Sequence, residues 1–180
     1  MHTRFIKANR TRGFTLLLAA LTASIALAIG SAIFDIAQKQ LFLSALSRDS
    51  QFSFYAADTG VECALYWDIR YDYFAATTPA GVSPTCDAQP FSIGPLNNQA
   101  YPYRVTFQFD YASAFCVTVE VAKCDGDFTG TSIDDPGETC SGGGQSIHTW
   151  IRSDGFSNKC AYIGSGTDLG ILQRSIEVHY

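Results

Sequence analysis

Seventeen acidic residues against twelve basic ones give this 180-residue chain a formal charge of −5, and no internal repeat or second domain shows along it. Four of the bases, Arg4, Lys7, Arg10 and Arg12, fall within the first thirteen residues, so the remainder carries eight bases against seventeen acids, a net −9. That balance argues against nucleic acid as a partner, because such binding draws its affinity from cations that neutralise phosphates.

The basic leader contains no acid and runs into an uncharged apolar stretch over residues 14–34. Roughly 20 apolar residues suffice for a helix to cross the hydrocarbon core of a bilayer. The positive flank stays cytoplasmic, so the expected orientation is N-terminus in and the bulk of the chain out. A secretory signal would show an apolar region of about 7 to 15 residues and then a small-x-small cleavage site. Here the sharper boundary lies before the run, at Gly13-Phe14.

The string Arg12-Gly13-Phe14-Thr15-Leu16-Leu17-Leu18 resembles the class III signal of the type IV pilin family, which the pseudopilins of type II secretion share. The resemblance implies cleavage by a membrane prepilin peptidase between Gly13 and Phe14, N-methylation of Phe14, and packing of the apolar helix among like helices in a filament. Leu18 departs from the pattern, since the fifth mature residue of most members is Glu, whose carboxylate meets the terminal amine of a neighbour. Such a charge in an apolar core is expensive unless paired. Leu18 therefore points to a minor or initiating subunit rather than the bulk one. A plain signal anchor on an unrelated ectodomain is the alternative.

The helical pattern continues past residue 34, and the first proline is Pro79. A helix from Phe14 to near Asp68 would be on the order of 80 Å long, too long for one small globule, so its first half must project. In the second half Phe52, Ala56, Gly60, Cys63 and Trp67 recur every three or four residues, a stripe fit to lie on a sheet. Gly30 and Gly60 are weak points, each costing roughly 1 kcal/mol relative to Ala. Gly30 suits either local unwinding during assembly or a close helix contact.

Residues 69–100 form a turn-rich connection, in the position of the variable loop of pilin-like proteins. Tyr103, Val105, Phe107 and Phe109 then alternate with polar residues, as do Phe115, Val117, Val119 and Val121, and the link Tyr111-Ala112-Ser113 makes the two a hairpin. Residues 147–153 and 175–180 supply two further strands. One apolar face on four antiparallel strands needs a cover, and the 52–67 half of the helix provides it. The expected fold is α+β and pilin-like, with a leader at 1–13, a membrane and filament-core helix at 14–34 and an ectodomain at 35–180.

Six cysteines, Cys63, Cys86, Cys116, Cys124, Cys140 and Cys160, lie beyond the apolar run, where an even count reads as disulfides. Cys116 and Cys124 sit at opposite ends of one strand, roughly 26 Å apart, and cannot pair if it is unbroken. The expected set is Cys63–Cys86, Cys116–Cys160 and Cys124–Cys140, one of fifteen possible sets.

Asp125-Gly126-Asp127-Phe128-Thr129-Gly130 resembles the opening of a calcium loop, with Asp134 as a further donor, but Pro136 stands where the bidentate Glu belongs. A solvated acidic turn is the preferred reading, and no cofactor is assigned. Catalytic signatures fail as well. His148 and His179 read as surface-facing strand residues, Gly164-Ser165-Gly166 lacks the spacing of a nucleophile elbow, and Ser141-Gly142-Gly143-Gly144-Gln145 has no following Lys-Ser or Lys-Thr. Tyr66, Trp67, Tyr71, Tyr73 and Phe74 are either a sticky patch or packing under the connection, with packing preferred.

The chain is thus expected to be a non-enzymatic minor pilin, inserted in the cytoplasmic membrane as a precursor and then carried into a cell-surface or periplasmic filament. Its partners would be other pilin subunits, the prepilin peptidase and the assembly machinery. A type II secretion pseudopilin and a membrane-anchored adhesin that never polymerises are the other readings.

Overall fold

An unbroken run of helix-compatible residues becomes, in the computed structural model, a single helix α1 over Arg12–Tyr71. The structure describes residues 12–94, 96–129, 139–140, 146–164 and 170–180. The helix ends where Asp72 turns to a positive φ of 50°, a conformation that Asp tolerates better than most residues. The Asp72 N–H donates to the Asp68 carbonyl at 2.9 Å and the Tyr73 N–H to that of Trp67 at 3.1 Å, satisfying carbonyls that the helix leaves open.

The chain divides into two units, one up to Leu46 and one over Ser47–Tyr180. In the first, every residue from Gly13 onward is exposed, and the apolar run accommodates its hydroxyls by turning them back on the helix. Thr22, Ser24 and Ser31 each donate to the carbonyl three residues earlier, at 3.0, 2.8 and 2.9 Å, so their polarity is satisfied internally. The boundary falls later than the change in composition after residue 34, and residues 35–46 are exposed as well.

In the second unit, strands β1 (Thr85–Cys86) and β2 (Gln89–Pro90) form a small hairpin. Strands β3 (Tyr103–Tyr111) and β4 (Phe115–Cys124) follow, then the short pair β5 (Phe128–Thr129) and β6 (Thr139–Cys140), then β7 (His148–Phe156) and β8 (Gln173–His179). The main sheet has the order β3-β4-β7-β8 and is antiparallel throughout. This is the α+β arrangement expected, one long helix against a four-stranded antiparallel sheet.

Register sets the inner face in rows: Val105, Val121, Ile151 and Val178; then Phe107, Val119, Ser153 and Ile176; then Phe109, Val117, Gly155 and Arg174. The helix lies on these rows through small residues. A Cβ on Gly155 would collide with the Ser53 carbonyl and approach the Ala57 amide to 2.6 Å, and one on Gly60 would meet Val117 at 2.6 Å. Close approach is therefore what both glycines supply. It also corrects the expected stripe: Ser53, Ala56, Ala57, Gly60, Val61, Ala64, Trp67 and Asp68 are buried, whereas Phe52 stays 40% exposed and stacks on Phe115 at 5.1 Å. A ring as large as Phe52 cannot enter a contact this tight, so it closes the margin.

The connection to β3 begins at residue 72, three residues later than expected, and is itself a wall of the core. Phe91 stacks on Phe107 at 4.0 Å, Phe74 on Phe107 at 5.7 Å, and the buried Trp67 donates its indole N–H to the Thr85 carbonyl at 3.0 Å. The β1–β2 hairpin turns through Asp87 and Ala88, both at positive φ, and Gln89 applies its side-chain amide to Asp110 of β3 as another peptide would, donating at 2.8 Å and accepting at 3.4 Å. Asp87 meanwhile accepts the Ala112 N–H at 2.6 Å, steadying the β3–β4 turn, whose Ala112 and Ser113 also have positive φ.

Candidate functional site

Three features carry chemistry that the fold alone does not require. The first is the start of α1, where Phe14, Leu16 and Leu17 are 65 to 72% exposed and Leu18 is 53% exposed, and where a Cβ on Gly13 or Gly30 would meet nothing within 4 Å. The helix is long and apolar enough to cross a membrane. Of the basic leader, Arg4, Lys7 and Arg10 lie outside the described residues.

The second is a polar cluster in the last inner row of the sheet, which joins the buried Tyr103, Lys123 and Thr149 to the half-exposed Tyr180. Lys123 Nζ donates to both oxygens of Asp68 on α1, at 2.7 and 2.5 Å, and to Thr149 Oγ1 at 2.8 Å. Tyr180 is bound to Thr149 through both main-chain groups and donates its hydroxyl to Asp68 Oδ2 at 2.5 Å. Burial, then the hydrogen bond to the Asp68 carboxylate, raise the Tyr180 phenol above its ordinary value; burial likewise raises Tyr103, whose hydroxyl donates to the Phe74 carbonyl at 2.7 Å. The sequence reading missed this cluster. Its signal was the alternation of β4, which carries Val117, Val119 and Val121 inward and so puts Lys123 inward too.

The third is the outer face of the sheet. Arg104 pairs with Glu120 at 3.1 Å, and Arg152 reaches Asp154 at 3.1 Å and Glu177 at 4.0 Å, a lattice of charge along the strands. Next to it lies a cavity of about 560 Å³ bordered by Asp127, Phe128, His148, Trp150, Glu177, His179 and Tyr180. Trp150 is buried, with Phe128 edge-on at 5.4 Å and the His179 ring at 6.0 Å. His148 Nε2 lies 3.5 Å from Asp127 Oδ1 and 2.9 Å from Ser146 Oγ. The two histidines are thus brought to one cavity as surface-facing strand residues, which the sequence placed on separate strands without joining them.

The calcium candidates fall only partly within the described residues. Asp125 Oδ1 sits 3.5 Å from the Cys140 sulfur, Asp127 faces His148, Thr129 belongs to β5, and Asp134 lies outside the described residues. The two groups that combine Asp125 or Asp110 with cysteines are closed to metal, because those cysteines are bonded to each other. The disulfides are Cys63–Cys86, Cys116–Cys160 and Cys124–Cys140, the same pairs as the expected set. The aromatic patch divides: Trp67, Tyr73 and Phe74 are buried, while Tyr66 and Tyr71 are 54% and 41% exposed, with Tyr71 4.7 Å from Trp67.

Comparison with family profiles, with curated proteins and with solved structures finds no match to this chain.

Proposed function

We propose that the chain is a non-enzymatic, pilin-like filament subunit, processed at Gly13-Phe14 and assembled through the start of α1. The observation that carries the reading is the pairing of a basic leader and Gly13-Phe14 junction with an apolar helix that leaves every side chain from Phe14 to Leu46 exposed. So much apolar surface needs a bilayer or other helices around it. A bundle of like helices supplies that environment once the subunit leaves the membrane. Support also comes from the second unit, where the continuing helix covers a disulfide-bonded antiparallel sheet.

Leu18 favours a minor or initiating position over the bulk subunit, because it offers no carboxylate to the amine of a neighbouring chain. The test is mass spectrometry of the mature N-terminus in a host that carries a prepilin peptidase. The expected product begins at Phe14 and bears one extra methyl group. An intact Met1, or cleavage distant from Gly13, overturns the filament reading in favour of a permanently anchored ectodomain.

A further inference from the structure

The sheet face turned away from α1 is polar where its register is read across the four strands, as in the row Thr106, Glu120, Arg152 and Glu177. The next outer row, Arg104, Ala122, Trp150 and His179, breaks that pattern with an indole. Trp150 adds nothing to the core under the helix, yet it is only 5% exposed, packed with Ala122 and Phe128 in a small apolar cluster of its own. Its Nε1–H is buried and has no acceptor among the described residues. A donor left in that state costs free energy, and the fold by itself gives no reason for it.

Trp150 borders the outer-face cavity of about 560 Å³, a size within the range of about 300 to 1,000 Å³ for small-molecule sites. Phe128 and Trp150 give this space an apolar wall, and Asp127, Glu177 and His179 stand around it. An anionic ligand would meet two carboxylates there. A cationic one would meet carboxylates that already have partners, since Asp127 Oδ1 lies 3.5 Å from His148 Nε2 and Glu177 Oε1 lies 4.0 Å from Arg152 Nε. A paired carboxylate still accepts hydrogen bonds from neutral O–H groups, because it has about four lone-pair sites. Imidazole and indole N–H groups donate to the same hydroxyls.

A hexopyranose has both parts of this chemistry, hydroxyls that donate and accept around an apolar C–H face. We propose that the cavity binds a neutral hexose, its C–H face on the Phe128 and Trp150 wall and its hydroxyls shared among Asp127, Glu177, His179 and the Trp150 Nε1–H. The hydroxyl that reaches the indole does so between exposed side chains able to turn aside, Asp127 at 84% exposure and His179, whose ring centre is 6.0 Å from that of Trp150. Processing at Gly13-Phe14 has no part in this binding, so the site stands or falls apart from the filament reading.

The test uses the full chain, disulfides intact, in micelles of a detergent without a sugar headgroup. It is applied to an array of neutral and sialylated glycans and, nitrogen-15 labelled, titrated with free glucose, galactose and mannose under nuclear magnetic resonance. The chain has two tryptophans, and the indole N–H of Trp67 is already bonded to the Thr85 carbonyl at 3.0 Å, so it serves as the internal reference. We expect the Trp150 indole resonance, assigned by its loss in Trp150→Phe, to shift on binding while that of Trp67 stays. Capture on neutral glycans marks a glycan as the source of the hexose, and a shift with free hexose alone marks a free sugar. Asp127→Ala and His179→Ala should each weaken binding about tenfold, and thermal unfolding verifies that both are folded. Binding to no neutral glycan or hexose at millimolar concentration, binding to sialylated glycans alone, a shift of Trp67 without Trp150, or full binding by both alanine variants overturns the proposal.

Discussion

Lys123 and Asp68 meet across 55 residues of sequence, and both are nearly sealed from water, with side chains 7% and 4% exposed. Two charges so placed are costly to desolvate, and the cost is offset only because Thr149 and Tyr180 supply further hydrogen bonds to the pair. Removing one partner leaves the other charged and buried, which costs about 3 to 5 kcal/mol, whereas an apolar replacement of both is often close to neutral. Lys123→Met should therefore lower the stability of the chain by that amount in urea unfolding. The double variant Asp68→Leu/Lys123→Met should lose less than Lys123→Met alone. A double variant that loses the sum of the two single losses would mean that the pair has no coupling.

At the scale of elements, the helix and sheet are held apart by nothing larger than a glycine at their closest point. Gly155 faces the main chain of Ser53 and Ala57, neither of which can rotate away, while Gly60 faces the side chains of Ser153 and Val117, which can. Gly155→Ala should accordingly destabilise the chain by about 1 to 3 kcal/mol or more as the helix is pushed off the sheet. Gly60→Ala recovers up to about 1 kcal/mol of helix propensity against its own clash and should cost less. Equilibrium unfolding of both variants ranks them, and the reverse order would contradict the packing described. The elements themselves were legible in the sequence: strict alternation placed β3 and β4, and the absence of proline before Pro79 marked the helix. What alternation could not show is which helical residues touch the sheet. The expected stripe holds at Ala56, Gly60 and Trp67, which are buried, but it began with Phe52, where contact distance selected the smaller Ser53. The cavity was hidden for a similar reason, since His148 and His179 become neighbours only through the β7–β8 register.

At the scale of the whole chain, each disulfide ties a short element within a connection to the long helix or to a strand of the main sheet. Cys63–Cys86 holds the segment after the helix to α1, Cys116–Cys160 holds the segment after β7 to the start of β4, and Cys124–Cys140 holds the loop after β4 to its end. In the chain-entropy view the gain grows slowly with the loop enclosed, so the separation of 44 residues at Cys116–Cys160 is worth about 4 kcal/mol and that of 16 at Cys124–Cys140 about 3 kcal/mol. Replacing Cys116 and Cys160 together by Ser should thus lower stability more than replacing Cys124 and Cys140, as read from the shift in denaturation midpoint. Equal losses would point instead to strain or to structure in the unfolded chain. These pairs were only one of fifteen possible sets in the sequence, because spacing along a chain does not show which loops fold back.

The amide of Gln89, seated against Asp110 like a borrowed peptide, occupies part of one margin of the main sheet, while no described strand pairs with the outer margin of β8. Open-ended stacking of sheets into fibrils requires every unit to be able to receive a neighbour on both sides. A strand arriving at this end of β3 would first have to displace the Gln89 amide from the Asp110 main chain. Gln89 in this sense acts as a local guard, holding the Asp110 main chain that a strand added at this end of β3 would otherwise bind.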